Sequence, residues 1–76
     1  MKVGMLWWDG NKQRPFAEKV LRAADYYREK YGIPPTLCYV HADAKYGKTA
    51  VEKIMISRSS AIMPNHFWLG TPSEER

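Results

Sequence analysis

Four side chains have the chemistry to hold a cation or move a proton: Asp9, His41, Asp43 and His66. Asp9 closes a short apolar run that reads as a first strand, and His41 closes a second one with Asp43 just beyond it. In a parallel pair those two ends lie side by side, at the edge where α/β sheets bind ligands. Two or three such ligands with an open position would suit Mg²⁺, Mn²⁺ or Zn²⁺ and phosphodiester hydrolysis. The spacing matches no ligand signature, however. Asp9 stands before Gly10-Asn11 and serves equally well as a turn or capping carboxylate. Histidines beside aromatics are more often hydrogen-bonded structural groups. The reading therefore assigns no catalytic residue, no metal site and no cofactor. It keeps a metal-dependent phosphodiester-processing enzyme on Asp9, His41 and Asp43 as the alternative.

A second chemistry is suggested by Ala42 to Thr49, ADAKYGKT, a loose phosphate-loop pattern with Ala in place of the first Gly. Such a loop needs curled backbone N–H groups, a lysine for the terminal phosphates and a hydroxyl for Mg²⁺. Gly47, Lys48 and Thr49 would supply the last three positions of a nucleotide-binding module. The following helix and a downstream acidic strand end are missing, so a solvated turn is the stronger expectation. Cys38 falls in mid-strand, where a thiol is buried and inert. Ser57, Ser59 and Ser60 stand near Arg58 without a nucleophile-elbow motif.

A third chemistry is stacking. Trp7, Trp8, Tyr39 and Trp68 with Lys45, Lys48, Lys53 and Arg58 could form an aromatic platform with a basic rim, as single-stranded nucleic acid requires. The formal net charge of +4 permits attraction to a polyanion, although the Lys and Arg residues are dispersed rather than blocked. The same aromatics suit a core or a dimer interface, and they alternate with aliphatics rather than with charges.

Positioning these residues requires a scaffold, and one stretch organises it: PFAEKVLRAADYYREKYG, from Pro15 to Gly32. Phe16, Val20, Ala23, Ala24, Tyr27 and Tyr31 recur at three- and four-residue steps, the pattern of an amphipathic helix. Pro15 suits a helix start, and Gly32 before Pro34-Pro35 gives a left-handed stop. Strands are expected at Lys2–Trp8, Thr36–Ala42, about 53–57 and His66–Gly70, with Arg58-Ser59-Ser60 as a break. The first strand carries apolar residues on both faces, which predicts burial on both sides. Strand, helix, strand makes a βαβ unit, so the first two strands are expected to be parallel neighbours with a right-handed crossover.

The expected fold is α/β (α+β): a small mixed sheet of three to four strands in βαββ order, with one long helix, about 15–31, packed on one face. A single domain over 1–70 is followed by a frayed polar tail, 71–76. One helix covers one sheet face, yet Leu6, Trp8, Tyr39, Met55 and Trp68 would crowd the other. A bare apolar face of several hundred Å² usually marks an association surface. A core this small rarely supplies more than about 3–5 kcal/mol, which also favours oligomers. A homodimer, or a stable hetero-partner, through Leu6, Trp8, Tyr39 and Trp68 is expected. The single cysteine fits a reducing, cytoplasmic setting, and no apolar run is long enough to span a membrane or form a signal segment.

The chain also resembles a set of small uncharacterised bacterial proteins. LWWD near the start, AEKVLRAADYYREKYG followed by PPTLCYVH, and the closing SRSSAIMPNHFWLG carry the resemblance. The likeness spans most of the chain, with loop 42–52 fitting least well. No activity, fold or ligand attaches to that set, so it transfers no functional residues. It implies only a complete small protein. Together these readings predict a small non-enzymatic interaction or accessory protein, dimeric, with affinity for a polyanion, nucleic acid foremost, through Lys45, Lys48, Lys53 and Arg58.

Overall fold

The computed structural model describes residues 4–45 and 50–71. In chain order it comprises β1 (Gly4–Trp8), α1 (Phe16–Tyr31), β2 (Leu37–His41), β3 (Ala50–Val51), β4 (Ile54–Ser59) and β5 (His66–Gly70). The fold is α+β, with one helix laid against one face of a mixed sheet.

The helix ends as its sequence dictates. Gly32 adopts φ 81°, and its N–H donates to the Arg28 carbonyl at 2.8 Å, closing the last turn in the left-handed region that favours glycine. At the other end Pro15 is the N-cap, with extended ψ and no side-chain cap. Val20, Ala23 and Tyr27 are buried, flanked by partly buried Phe16, Ala24 and Tyr31. They meet Cys38 and Val40 of β2, Ile54 and Ile56 of β4, and Phe67 and Leu69 of β5. Fully burying each large side chain contributes about 1.5–3 kcal/mol, so this one-sided core is the main stabilising element.

The sheet has five strands in the order β1-β5-β2-β4-β3. This corrects the expectation of adjacent first and second strands. Both β1 and β2 run antiparallel to β5, which lies between them, so they are parallel but never paired. The parallel contact is instead β2 with β4. The β5 sequence is apolar on both faces and takes an interior place between β1 and β2, while β1 is left at the edge. Edge position also corrects the expectation that β1 is buried on both sides: Met5 and Trp7 pack toward the helix, whereas Leu6 and Trp8 are 61% and 63% exposed.

Two further boundaries differ. Residues 50–51 form a short strand, joined to β4 by a tight turn in which Glu52 takes φ 56°. This hairpin begins ahead of the strand expected at about 53–57, and β4 runs through Arg58 and Ser59, where a break was expected. Their backbones continue in register with Val40 and His41. Thr71, assigned to the polar tail, is buried. Among the described residues, no helix is long and apolar enough to cross a membrane.

Candidate functional site: an uncharged open sheet face

Strand alternation places successive side chains on opposite faces. One set from each strand packs under α1. The other set forms the open face: Gly4, Leu6 and Trp8 of β1; Gly70, Trp68 and His66 of β5; Leu37, Tyr39 and His41 of β2; Met55, Ser57 and Ser59 of β4. Pairing aligns them in rows: Gly4–Gly70–Leu37–Met55, then Leu6–Trp68–Tyr39–Ser57. A third row runs from Trp8–His66 to His41–Ser59. These twelve positions, three from each of four strands, include no Lys, Arg, Asp or Glu.

The middle row is aromatic. Tyr39 and Trp68 have ring centroids 6.1 Å apart at 48°, within the range of favourable tilted pairs. The Trp68 indole lies across Gly4, where an added Cβ would overlap its Cζ2 and Cε2 atoms. Gly4 is thus required by close approach, and the indole covers the backbone that a side chain would otherwise shield. Trp68 and Tyr39 are half-buried as a result, while Leu6, Trp8 and Met55 stand out at 61–63% exposure. All four expected interface residues, Leu6, Trp8, Tyr39 and Trp68, therefore lie on one surface that α1 does not cover.

The expected basic rim is dispersed by the fold. Lys45 lies in the loop after β2, beside Lys19 of the helix. Lys53 sits in the β3–β4 turn and lines a groove with Leu21, Asp25 and Arg28 on the helix side. Arg58 alternates with Ile54 and Ile56 on the helix-facing side of β4, and its Nε and Nη2 both donate to the Ala44 carbonyl, at 3.2 and 3.1 Å. That fork clamps the loop after β2. None of these three cations belongs to the aromatic rows. Lys48, with the remainder of the Gly47-Lys48-Thr49 pattern, lies outside the described residues.

Of the acid–base candidates Asp9 stands apart, while His41, Asp43 and His66 line one cleft. Asp9 is 5% exposed, accepts the Asn11 N–H at 3.0 Å and holds Arg14 Nη1 at 2.7 Å. Burial pushes the Asp9 carboxyl up, but the Asn11 N–H, the Arg14 guanidinium and the nearby Lys19 outweigh it and hold the group below its ordinary value. Its lone pairs are thus committed to the chain entering α1. Sequence reasoning offered Asp9 as a cap but missed Arg14 as its partner. The signal was a five-residue separation across a Gly-Asn turn, too generic to single out.

His41 and His66 share a different arrangement. His41 Nδ1 lies 2.7 Å from the Ile62 carbonyl, and His66 Nδ1 lies 2.8 Å from the Pro64 carbonyl. A carbonyl oxygen only accepts, so Nδ1 carries the proton in both rings and Nε2 faces outward chemistry. His41 Nε2 is 3.6 Å from Asp43 Oδ2. Among the described residues, no group of three His, Cys, Asp or Glu side chains is placed to hold a metal ion. Cys38 is buried, and burial pushes its thiol up to about 12.

Comparison with protein-family models, curated proteins and solved structures returns no match to this chain. The reading of function consequently rests on the geometry of the open face and of the strand ends beside it.

Proposed function

We propose that this chain is a non-enzymatic interaction protein that associates through its open sheet face, and that the occupant is a second copy of itself. The single observation that carries the reading is the chemistry of the face: aromatic and aliphatic rows with twelve positions and no charge. A polyanion platform would need cations among the aromatics, because phosphate neutralisation supplies most of the affinity. Depletion of charge with enrichment of Trp, Tyr and Met is instead the composition of a protein-interface core.

Dimensions support a second copy. Four strands at about 4.8 Å spacing, each five or six residues long at about 3.3 Å, span roughly 19 by 16 Å. Measured flat, two such faces lose about 600 Å² of surface, and side-chain relief raises this toward the low end of specific interfaces. Two sheets stacked about 10 Å apart interdigitate their inner side chains in this way. The face is also self-complementary in charge. The chain carries a net +4, yet a two-fold pairing of uncharged faces opposes no like charges at its centre. A cytoplasmic setting fits the single buried thiol.

Light scattering on the whole chain tests the proposal. The expected result is twice the 8.8 kDa protomer mass at about 100 μM, unchanged by added salt. A monomer at that concentration overturns it. So does salt-sensitive binding of an oligonucleotide that quenches Trp8 and Trp68, which would assign the face to bases instead.

A further inference from the structure

At one end of the sheet, where β2 finishes and β5 begins, a cleft of about 290 Å³ opens between the first turn of α1 and two loops. We infer that this cleft binds a small phosphomonoester, its phosphate held between Lys19 and Lys45 and its organic part laid on Phe16 and Phe67. The inference does not rest on the dimer reading, although His41 and His66 also stand in the third row of the open face.

The cleft is built from elements distant in sequence. Lys19 comes from the first turn of α1, Lys45 from the loop after β2, and His41 and His66 from adjoining strand ends. The loop backbones are tied. Arg58 grips the Ala44 carbonyl, the residue before Lys45. Asp9 N–H donates to the Asn65 carbonyl at 3.0 Å, and Asn65 occupies the left-handed region at φ 64°, which asparagine tolerates. The walls are therefore anchored to the sheet on both sides.

The chemistry of the lining is divided. Phe16, Val40 and Phe67 contribute an apolar floor, and Phe16 and Phe67 already tilt against one another with centroids 5.8 Å apart. The polar wall holds two ammonium groups, two imidazoles, Asn65 and one acid, Asp43. Asp9, the other nearby carboxylate, pairs directly with Arg14 at 2.7 Å, and Lys19 acts on it only through its charge. Asp43 is 92% exposed beside the His41 ring, and the two lysines outnumber this one acid in the lining. Lysine is a suitable point charge for phosphate. With Nδ1 protonated in both rings, the two Nε2 atoms can accept from a protonated phosphate oxygen. The volume stands at the lower end of the range for small-molecule sites, larger than inorganic phosphate needs and smaller than a dinucleotide requires.

Phenyl phosphate is the probe, with phenol and inorganic phosphate as the separating arms, followed by amide and side-chain NMR shifts on the whole chain. Saturable shifts at Lys19, Lys45, His41 and His66 are expected with phenyl phosphate. Weaker binding at the same residues is expected with inorganic phosphate, and none with phenol. Lys19→Gln and Lys45→Gln should each weaken binding about tenfold, while Lys30→Gln on the far end of α1 leaves it unchanged. Both positions are partly or fully exposed, so the variants are expected to fold, and helical circular dichroism checks this. The inference is overturned if no saturation occurs by about 10 mM. It is equally overturned if the lysine variants bind as wild type does, or if phenol binds as well as its phosphate ester.

Discussion

Replacing Leu6 by lysine gives the most direct access to the open face. Leu6 is 61% exposed on the edge strand β1, in the row that contains Trp68 and Tyr39. Fully burying a leucine is worth about 1.5–3 kcal/mol, so covering the exposed share in a dimer is worth about 1–2 kcal/mol per copy. A two-fold interface uses each position twice, giving about 2–4 kcal/mol for the pair. That corresponds to a dimer dissociation constant raised roughly 30- to 700-fold. The figure is a minimum, because a lysine ammonium brought into an apolar contact adds a desolvation cost. The monomer should hardly change, since a substitution at an exposed position away from special contacts usually stays within about 0.5 kcal/mol. Sedimentation equilibrium over a concentration series measures the constant, and thermal melting of dilute samples checks the monomer. Trp8→Lys, at 63% exposure, is the parallel variant. If both variants associate as wild type does, the open face is not the interface. If both lose monomer stability by several kcal/mol, the face is covered within the chain and the area argument fails.

Three more outcomes follow from the same geometry. Gly4→Ala should destabilise by about 1–3 kcal/mol and alter tryptophan fluorescence, because the new methyl overlaps the Trp68 indole; equal melting would mean the indole moves aside freely. Asp9→Asn should lower stability at neutral pH and leave Arg14 unpaired. The Asp9 carboxyl is held below its ordinary 3.8, so its stabilisation is complete above that value and is lost as pH falls through the folded one. The gap between variant and wild-type melting temperatures should therefore close as pH falls below 3.8; a gap independent of pH would refute the ion pair. Cys38, fully buried with its thiol pushed up to about 12, should not react with a disulfide reagent in the native state and should react at once in denaturant; fast native reaction would contradict the packing of β2 under α1.

The local elements were legible because their causes are local. The three- and four-residue recurrence from Phe16 to Tyr31, the Gly32 stop and the alternation in LCYVH and HFWLG each follow from neighbours along the chain. The surplus of apolar strand residues over what one helix can cover was also readable, and Leu6, Trp8, Tyr39 and Trp68 do share the uncovered face. Strand order was not readable. The choice of β5 rather than β2 as the partner of β1 depends on long-range pairing and on burial of Phe67 and Leu69, which no local pattern encodes. That choice has consequences for function. With β5 between β1 and β2, its Trp68 meets Leu6 on one side and Tyr39 on the other. Arg58, one register step beyond Ile56, turns to the helix side and spends its donors on Ala44. The sequence alone determined that an apolar surface would remain; the tertiary structure decided that this surface carries no charge. Side-chain alternation is known from the chain, but which alternate points outward depends on where the helix lands.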